Sequence, residues 1–174
     1  VTGNAVRYAH DGSDQFSLGG NDITTIYQDR GGLLWVGTKT RGLSKWNPRT
    51  WAFGFEPAKT VTGNEKRQPI ITSFVEDTAG RLLVGTFGDG LNAIERNGGD
   101  AVRYSREPGN EFKISDDRVM SLMRDRSGSI WVGTMMNGIT LIDPASERTT
   151  NFRHVAGDDS GLSANGIMTM YEDR

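Results

Sequence analysis

The chain has 174 residues, 20 basic against 22 acidic side chains, a formal net charge of −2, 23 glycines and no cysteine. That length holds one domain with a real core, and the mixed charge leaves no basic stripe for nucleic acid. The missing cysteines exclude disulfides, thiolate metal sites and a cysteine nucleophile, and apolar runs of a few residues predict no membrane contact by this segment.

In chain order, Ala5-Val6-Arg7-Tyr8 comes first and is predicted as a strand. Residues 23–29 (ITTIYQD) follow as a short strand, apolar on both faces, which suits a strand covered on both sides. Asp29-x-x-Gly32 reads as a turn, with Asp bonding backbone N–H groups two or three residues on and Gly taking positive φ. Residues 33–38 (LLWVGT) form a second strand. A three-residue turn, 39–41, leads to a third strand at 42–47, and Asn47-Pro48 turns into a fourth at 51–55. A longer polar connection of about a dozen residues then leads on. No stretch carries a sustained 3.6-residue period with caps, so no helix is predicted.

Gly32-x4-Gly37 followed by Thr38-Lys39-Thr40 comes near the phosphate-loop pattern, with one Thr too many before the Lys. The rest of the chain removes that reading. Shifted by 48 residues, the sequence aligns with itself without a gap. Asp29 falls on Asp77 and Asp125, Gly32 on Gly80 and Gly128, Gly37 on Gly85 and Gly133, and Gly42 on Gly90 and Gly138. Val-Gly-Thr recurs at 36–38, 84–86 and 132–134. Chance would give on the order of 0.2 triple identities over such a repeat; six occur. Lys39, by contrast, becomes Phe87 and then Met135, so the glycines recur and the phosphate chemistry does not.

Four short antiparallel strands in a repeat of this length predict a β-propeller blade, which cannot bury both faces without neighbours. The fold class is all-β. The expected units are an outer strand and crossover at 1–22, blades at 23–70, 71–118 and 119–166, and an inner strand of a following blade at 167–174. Residues 5–8 match the fourth strand at 101–104, and residues 167–173 match the first strands, with Asp173 on Asp29. The arc of about three and a half blades is therefore expected to be open, and the sequence is read as a fragment of a longer propeller or half of an assembly.

The string Ile-x5-Asp-x2-Gly-x-[Leu/Ile]-Trp-Val-Gly-Thr-x3-Gly-[Leu/Ile], with Asn47-Pro48 and Asp143-Pro144 after the third strand, resembles the two-component regulator propeller repeat. The second copy departs from it, with Leu83 in place of Trp and Glu95-Arg96 in place of the turn pair. The resemblance implies a periplasmic sensor region of an inner-membrane receptor whose output is a histidine kinase or a diguanylate cyclase. The expected partners are the remaining blades of that receptor or a second copy, with a small polar or carbohydrate-like ligand.

The recurring Asp29, Asp77 and Asp125 are expected as turn caps, Gly32, Gly80 and Gly128 as turn formers, and Gly37, Gly85 and Gly133 as points of close approach between blades. Trp35 and Trp131 are expected in blade-face packing. Candidate ligand contacts are the positions that differ between copies: Lys39 and Arg41, Phe87 and Asp89, Met136 and Asn137. Asp22, Asp117, Arg118 and Asn165 are expected on the same face, with Arg118 as the residue to hold an anionic group. His10 and His154, three repeats apart, read as surface residues rather than metal ligands. No cofactor, no metal and no catalytic residue are expected. A hydrolase or lyase is the remaining enzyme alternative, since Asp-x-x-Gly-x-x-Trp resembles the Asp-box of sialidase propellers, and a non-binding interaction scaffold is the other.

Overall fold

A computed structural model of the chain describes residues 5–50, 52–56, 61–62, 69–95, 101–109, 113–143, 145–146 and 148–173. The expected strand starts at Trp51 and Asp100, and the turn residues Arg96 and Pro144, lie outside the described residues. Three four-stranded antiparallel sheets follow one another. Blade 1 is β1 (Ile23–Gln28), β2 (Leu34–Thr38), β3 (Leu43–Asn47) and β4 (Ala52–Glu56). Blade 2 is β5 (Ile71–Glu76), β6 (Leu82–Thr86), β7 (Leu91–Ile94) and β8 (Val102–Tyr104). Blade 3 is β9 (Val119–Arg124), β10 (Ile130–Thr134), β11 (Ile139–Ile142) and β12 (Thr149–Phe152). Each sheet runs in sequence order and the sheets do not close on themselves, so the fold is an open propeller arc.

Residues 5–8 and 167–173 are not in strands. An outer or inner strand pairs with one neighbour, and the third- or second-strand neighbour that each would pair with is not among these residues. Tyr8 instead lays its ring against Phe53 and Trp46, at centroid distances of 5.6 and 6.4 Å. In the first crossover Val61 and Thr62 are helical, and Val61 is fully buried with Trp35 and Ile71.

The turn between the first two strands of a blade is built on its aspartate. Gly32 N–H donates to the Asp29 carbonyl at 2.9 Å, and Gly32 takes φ +83°, where a side chain would be strained. The carboxylate reaches further than expected. Asp29 Oδ1 accepts the Leu33 N–H four residues on, and Oδ2 accepts Trp35 Nε1–H at 3.0 Å. Asp125 does the same with Ser129 N–H and, at 2.8 Å, Trp131 Nε1–H. Blade 2 has Leu83 at the Trp position and no indole to donate. There the Arg81 guanidinium takes its place, with Nε 2.7 Å from Asp77 Oδ2. After the third strand, Asn47 and Asp143 cap the next turn by accepting the N–H groups of Arg49 and Ala145.

Blades join where the second strand has no side chain. A Cβ on Gly37 would lie 2.6 Å from Ile71 Cγ2 and 2.8 Å from Thr25 Cγ2. Ile71 is the first residue of the next blade, and Thr25 is paired with Gly37 across the ladder. Gly85 meets Val119 and Ser73 in the same way, and Gly133 meets Ile167 and Ser121. The residue before each small one bulges, so the ladder shifts register between Ile23 and Thr25 and between Ile71 and Ser73. Bulge residue Thr72 then donates its hydroxyl to the Val119 carbonyl of blade 3 at 2.9 Å. Two apolar cores fill the seams. Trp35 and Leu43 pack on Ile71, Phe74 and Val84, and Leu83 and Leu91 pack on Val119, Ile130 and Val132. At the opposite edge Arg30 N–H donates to the buried Glu76 carboxylate, and Arg126 N–H repeats this on Glu172.

Two substitutions test these joints. Gly37→Ala forces Ile71 and Thr25 off their positions and is expected to cost about 2 kcal/mol in urea unfolding, the scale of an overpacked core. Trp35→Leu leaves one oxygen of the buried Asp29 without its indole donor, at about 1–3 kcal/mol. Adding Leu33→Arg, which reproduces blade 2, is expected to recover part of that loss in a double-mutant cycle, and strict additivity would contradict the substitution logic.

Candidate functional site

The turn between the second and third strands is held rigid by a buried threonine. Thr38 Oγ1 donates to the Gly42 carbonyl at 2.9 Å and accepts the Arg41 N–H. Thr86 holds Gly90 and Asp89, and Thr134 holds Gly138 and Asn137, in the same two bonds. All three threonines are fully buried. Each turn is also fastened from outside. The N–H groups of Lys39, Phe87 and Met135 donate to the carbonyls of Asp22, Ile70 and Arg118, the residues that enter the inner strands. Gly90 and Gly138 donate to the carbonyls of Asp117 and Asn165 in the following crossovers. Turns and crossovers thus form one hydrogen-bonded face, and the side chains that differ between blades are displayed from a fixed backbone.

The candidate residues do not form a single cluster. In blade 1 Lys39 and Arg41 are exposed, and between them Thr40 donates its hydroxyl to Asp22 Oδ2 at 2.7 Å. Across the second seam, Phe87 forms a backbone bridge with Arg118, and the Arg118 guanidinium approaches Met136 Sδ at 3.3 Å. Met136 and Phe87 are both exposed. Asp89 is buried, and its carbonyl accepts Arg103 Nε–H at 3.0 Å.

A residue that the sequence reading passed over organises this half. Asp116 is 2 % exposed and accepts Arg118 Nε–H at 3.0 Å and Nη2–H at 2.8 Å, a two-pronged pair, as well as the Arg118 backbone N–H. Asn137 Nδ2 adds a longer bond at 3.3 Å. Burial opposes the charge on Asp116, yet the hydrogen bonds from Arg118, with the positive charges of Arg118 and Arg106, outweigh it and hold the carboxyl below its ordinary range. Arg118 therefore does not stand free for an anion, because its charge is met by Asp116. The other expected mouth residues are also engaged. Asp117 Oδ1 accepts the Arg106 N–H, and Asn165 Oδ1 accepts the His154 N–H, so both clip their crossovers shut. Asn21 does so for His10. His10 Nδ1 and His154 Nδ1 lie 2.6 and 2.7 Å from the carbonyls of Leu18 and Leu162, which makes them matching loop ties. Among the described residues no group of three or more His, Cys, Asp or Glu side chains is placed to hold a metal ion.

The only sequence signal for Asp116 is its closeness to Arg118. Its equivalents in the other crossovers are Gly20, Gln68 and Ala164, so no repeat marks it. The buried threonines had a signal, an identity in all three copies, whose role needed the turn geometry.

These features define a propeller arc with a constant frame and a private set of turn residues. Residues 17–40 and 113–136 match the family model described as "Two component regulator propeller". The two stretches are two repeats apart and in the same phase, and each covers the end of a crossover and the first two strands of a blade, the first and the third. No curated protein matches the chain. Among solved structures, it is similar to the extracellular domain of BT4673 from B. thetaiotaomicron, described as a hybrid two component system. The TM-score is 0.71, with 22% identity over 90% of this chain and 20% of that one. The extracellular domain of BT3049 from the same organism gives a TM-score of 0.66 and 26% identity over 84% and 19%. Virginiamycin B lyase from Staphylococcus aureus gives 0.53 and 16% identity over 80% and 43%. The chain spans about a fifth of the length of the two B. thetaiotaomicron structures, and the lyase likeness is one of fold alone.

The Asp116 pair carries a pH signature. A carboxyl whose folded pKa is depressed contributes stability that is present above its unfolded pKa and is lost as pH falls through the folded one. Urea midpoints are expected to drop as pH falls below about 4, the ordinary Asp range, and Asp116→Asn is expected to make that drop smaller. An unchanged acid limb in the variant would contradict the pairing.

Proposed function

We propose that this chain is part of an extracytoplasmic propeller sensor that binds a ligand or partner on its turn-and-crossover face and passes the signal to a separate output domain. The observation that carries the reading is the split between frame and face. Asp, Gly and Thr positions repeat and are consumed in turns and seams, whereas positions 39–41, 87–89 and 135–137 vary on a backbone fixed from both sides. The match to two-component regulator propeller repeats supports the receptor context, and the extracellular B. thetaiotaomicron domains support the same side of the membrane. On this reading the location is periplasmic, and the partners are the other blades of the receptor or a second copy. The ligand is a small polar or carbohydrate-like molecule, and the output is a histidine kinase or a diguanylate cyclase.

The reading makes the segment a binding unit rather than a catalytic one. The carboxylates that repeat, Asp29, Asp77 and Asp125, each accept a turn N–H and a side-chain donor, so they are committed to structure. Binding at the face transmits a signal only through a difference in affinity between receptor states.

The test uses the whole receptor that carries this chain. Arg41→Ala, Phe87→Ala and Met136→Ala remove exposed side chains and are expected to leave folding within about 0.5 kcal/mol. They are expected to reduce the stimulated output at least about tenfold, equivalent to some 1.4 kcal/mol of binding. Unchanged output in all three would leave the scaffold reading in place of the ligand face.

A further inference from the structure

The edge opposite the variable turns breaks its own pattern at one seam. Between blades 1 and 2, Glu76 Oε2 accepts the Arg30 N–H at 3.0 Å and lies 3.7 Å from Arg30 Nε. One turn beyond blade 3, Glu172 Oε2 accepts the Arg126 N–H at 3.0 Å and lies 3.8 Å from Arg126 Nε. At the seam between blades 2 and 3 the same two positions hold Thr78 and Arg124. A cation stands where the other seams place a carboxylate. Arg124 Nη1 reaches back to the Asp77 carbonyl at 3.4 Å, and Arg30 Nη2, from the blade on the other side, reaches the same oxygen at 3.5 Å. Both contacts are long for an N–H···O bond, and the Gly80 N–H already donates to that carbonyl at 3.3 Å. Three donors therefore share two lone pairs.

We infer that this edge of the second seam binds the carboxylate of a small ligand, in the role that Glu76 and Glu172 play at the neighbouring seams. The charges call for one. Three guanidinium groups gather around the Asp77 turn, Arg30, Arg81 and Arg124. Arg81 is met by the Asp77 carboxylate at 2.7 Å and Arg30 by Glu76. Arg124 has no carboxylate partner among the described residues. The flanking turn carboxylates, Asp29 and Asp125, are already taken by their indole and backbone donors. Two like charges converging on one carbonyl repel, and an anion between them removes the repulsion. A planar carboxylate suits the arginine fork, and its oxygens are within the chemistry of Arg124, Arg30 and the N–H of the exposed Thr78. The group binds across three adjoining blades whose two seams are both filled. This inference does not depend on the ligand-face reading, because these residues lie at the opposite ends of the strands.

The probe is sodium acetate, exchanged for sodium chloride at constant ionic strength, with the 174-residue chain carrying ¹⁵N-labelled arginine. The expected result is saturable shifts of the Arg30 and Arg124 Nε signals. Arg103 and Arg118, already paired with Glu107 and Asp116, are expected to stay in place. Arg124→Gln, which installs the residue that blade 1 carries at Gln28, is expected to weaken acetate binding at least about tenfold. Arg124→Glu gives the second seam the carboxylate of its neighbours and is expected to abolish acetate binding, with the Arg118 signal unmoved as the report of an intact fold. Absence of saturable shifts would overturn the inference. So would equal shifts at all four arginines, or acetate binding that survives Arg124→Glu.

Discussion

The arc depends on a missing side chain. At Gly37, Gly85 and Gly133 the second strand of a blade presents bare backbone, and the first residue of the next segment lies in the space a Cβ would fill. Blade-to-blade spacing is thus set by a van der Waals contact with almost no tolerance. The small residue across the ladder, Thr25, Ser73 or Ser121, crowds the same space from the other side. A bulge one residue earlier lets the inner strand bend into the contact. Three features that look separate in the sequence, a glycine, a hydroxyl residue and an apolar residue one repeat away, are parts of one joint. Packing of Trp35 or Leu83 on the next blade follows from that spacing.

The second constraint is polar and lies at the ends of the strands. Each aspartate turn and each threonine-locked turn uses side-chain groups to satisfy backbone N–H and C=O groups that have left the ladder. The threonine lock leaves the first residue of its turn free in side chain, so Lys39 can become Phe87 and then Met135 with the same threonine bonds behind them. The second residue is more restricted in blade 2, where Gly88 takes φ +114° and donates its N–H to the Asp117 carbonyl. The face is rigid in its main chain and free in its chemistry, which suits recognition by a scaffold.

The frame was legible in the sequence because it repeats. Strand order, turn positions and the open arc follow from the 48-residue register, and the described strands fall within a residue or two of the expected ones. What did not repeat was not legible. Asp116 is private to one crossover, and nothing in a residue count says that its carboxylate would turn Arg118 inward. Charge pairs depend on side-chain direction, and an unpaired reading of Arg118 from sequence overlooked a partner two residues away. Asp117 and Asn165 show a related point. They do lie by the turn face, but a short polar side chain next to a strand entrance bonds the nearest free N–H before it meets a ligand. The helical Val61 was hidden because a single buried apolar residue, with Thr62 beside it, makes no period.

Blade 2 shows what the motif encodes. The family model matches the first two strands of the first and third blades, where an indole N–H reaches the turn carboxylate. The second blade folds into the same sheet with the same positive-φ glycine and the same bond from the fourth residue onward, yet it has no tryptophan. Its Arg81 supplies the second donor from two positions earlier. The requirement at this site is therefore a turn carboxylate with a donor on each oxygen, and tryptophan is one way of meeting it. Leu83 keeps the packing role and Arg81 takes the hydrogen bond, so two residues divide what Trp35 does alone. A blade with this division has a weaker letter pattern and the same physics, and counting blades by the tryptophan motif alone would miss it.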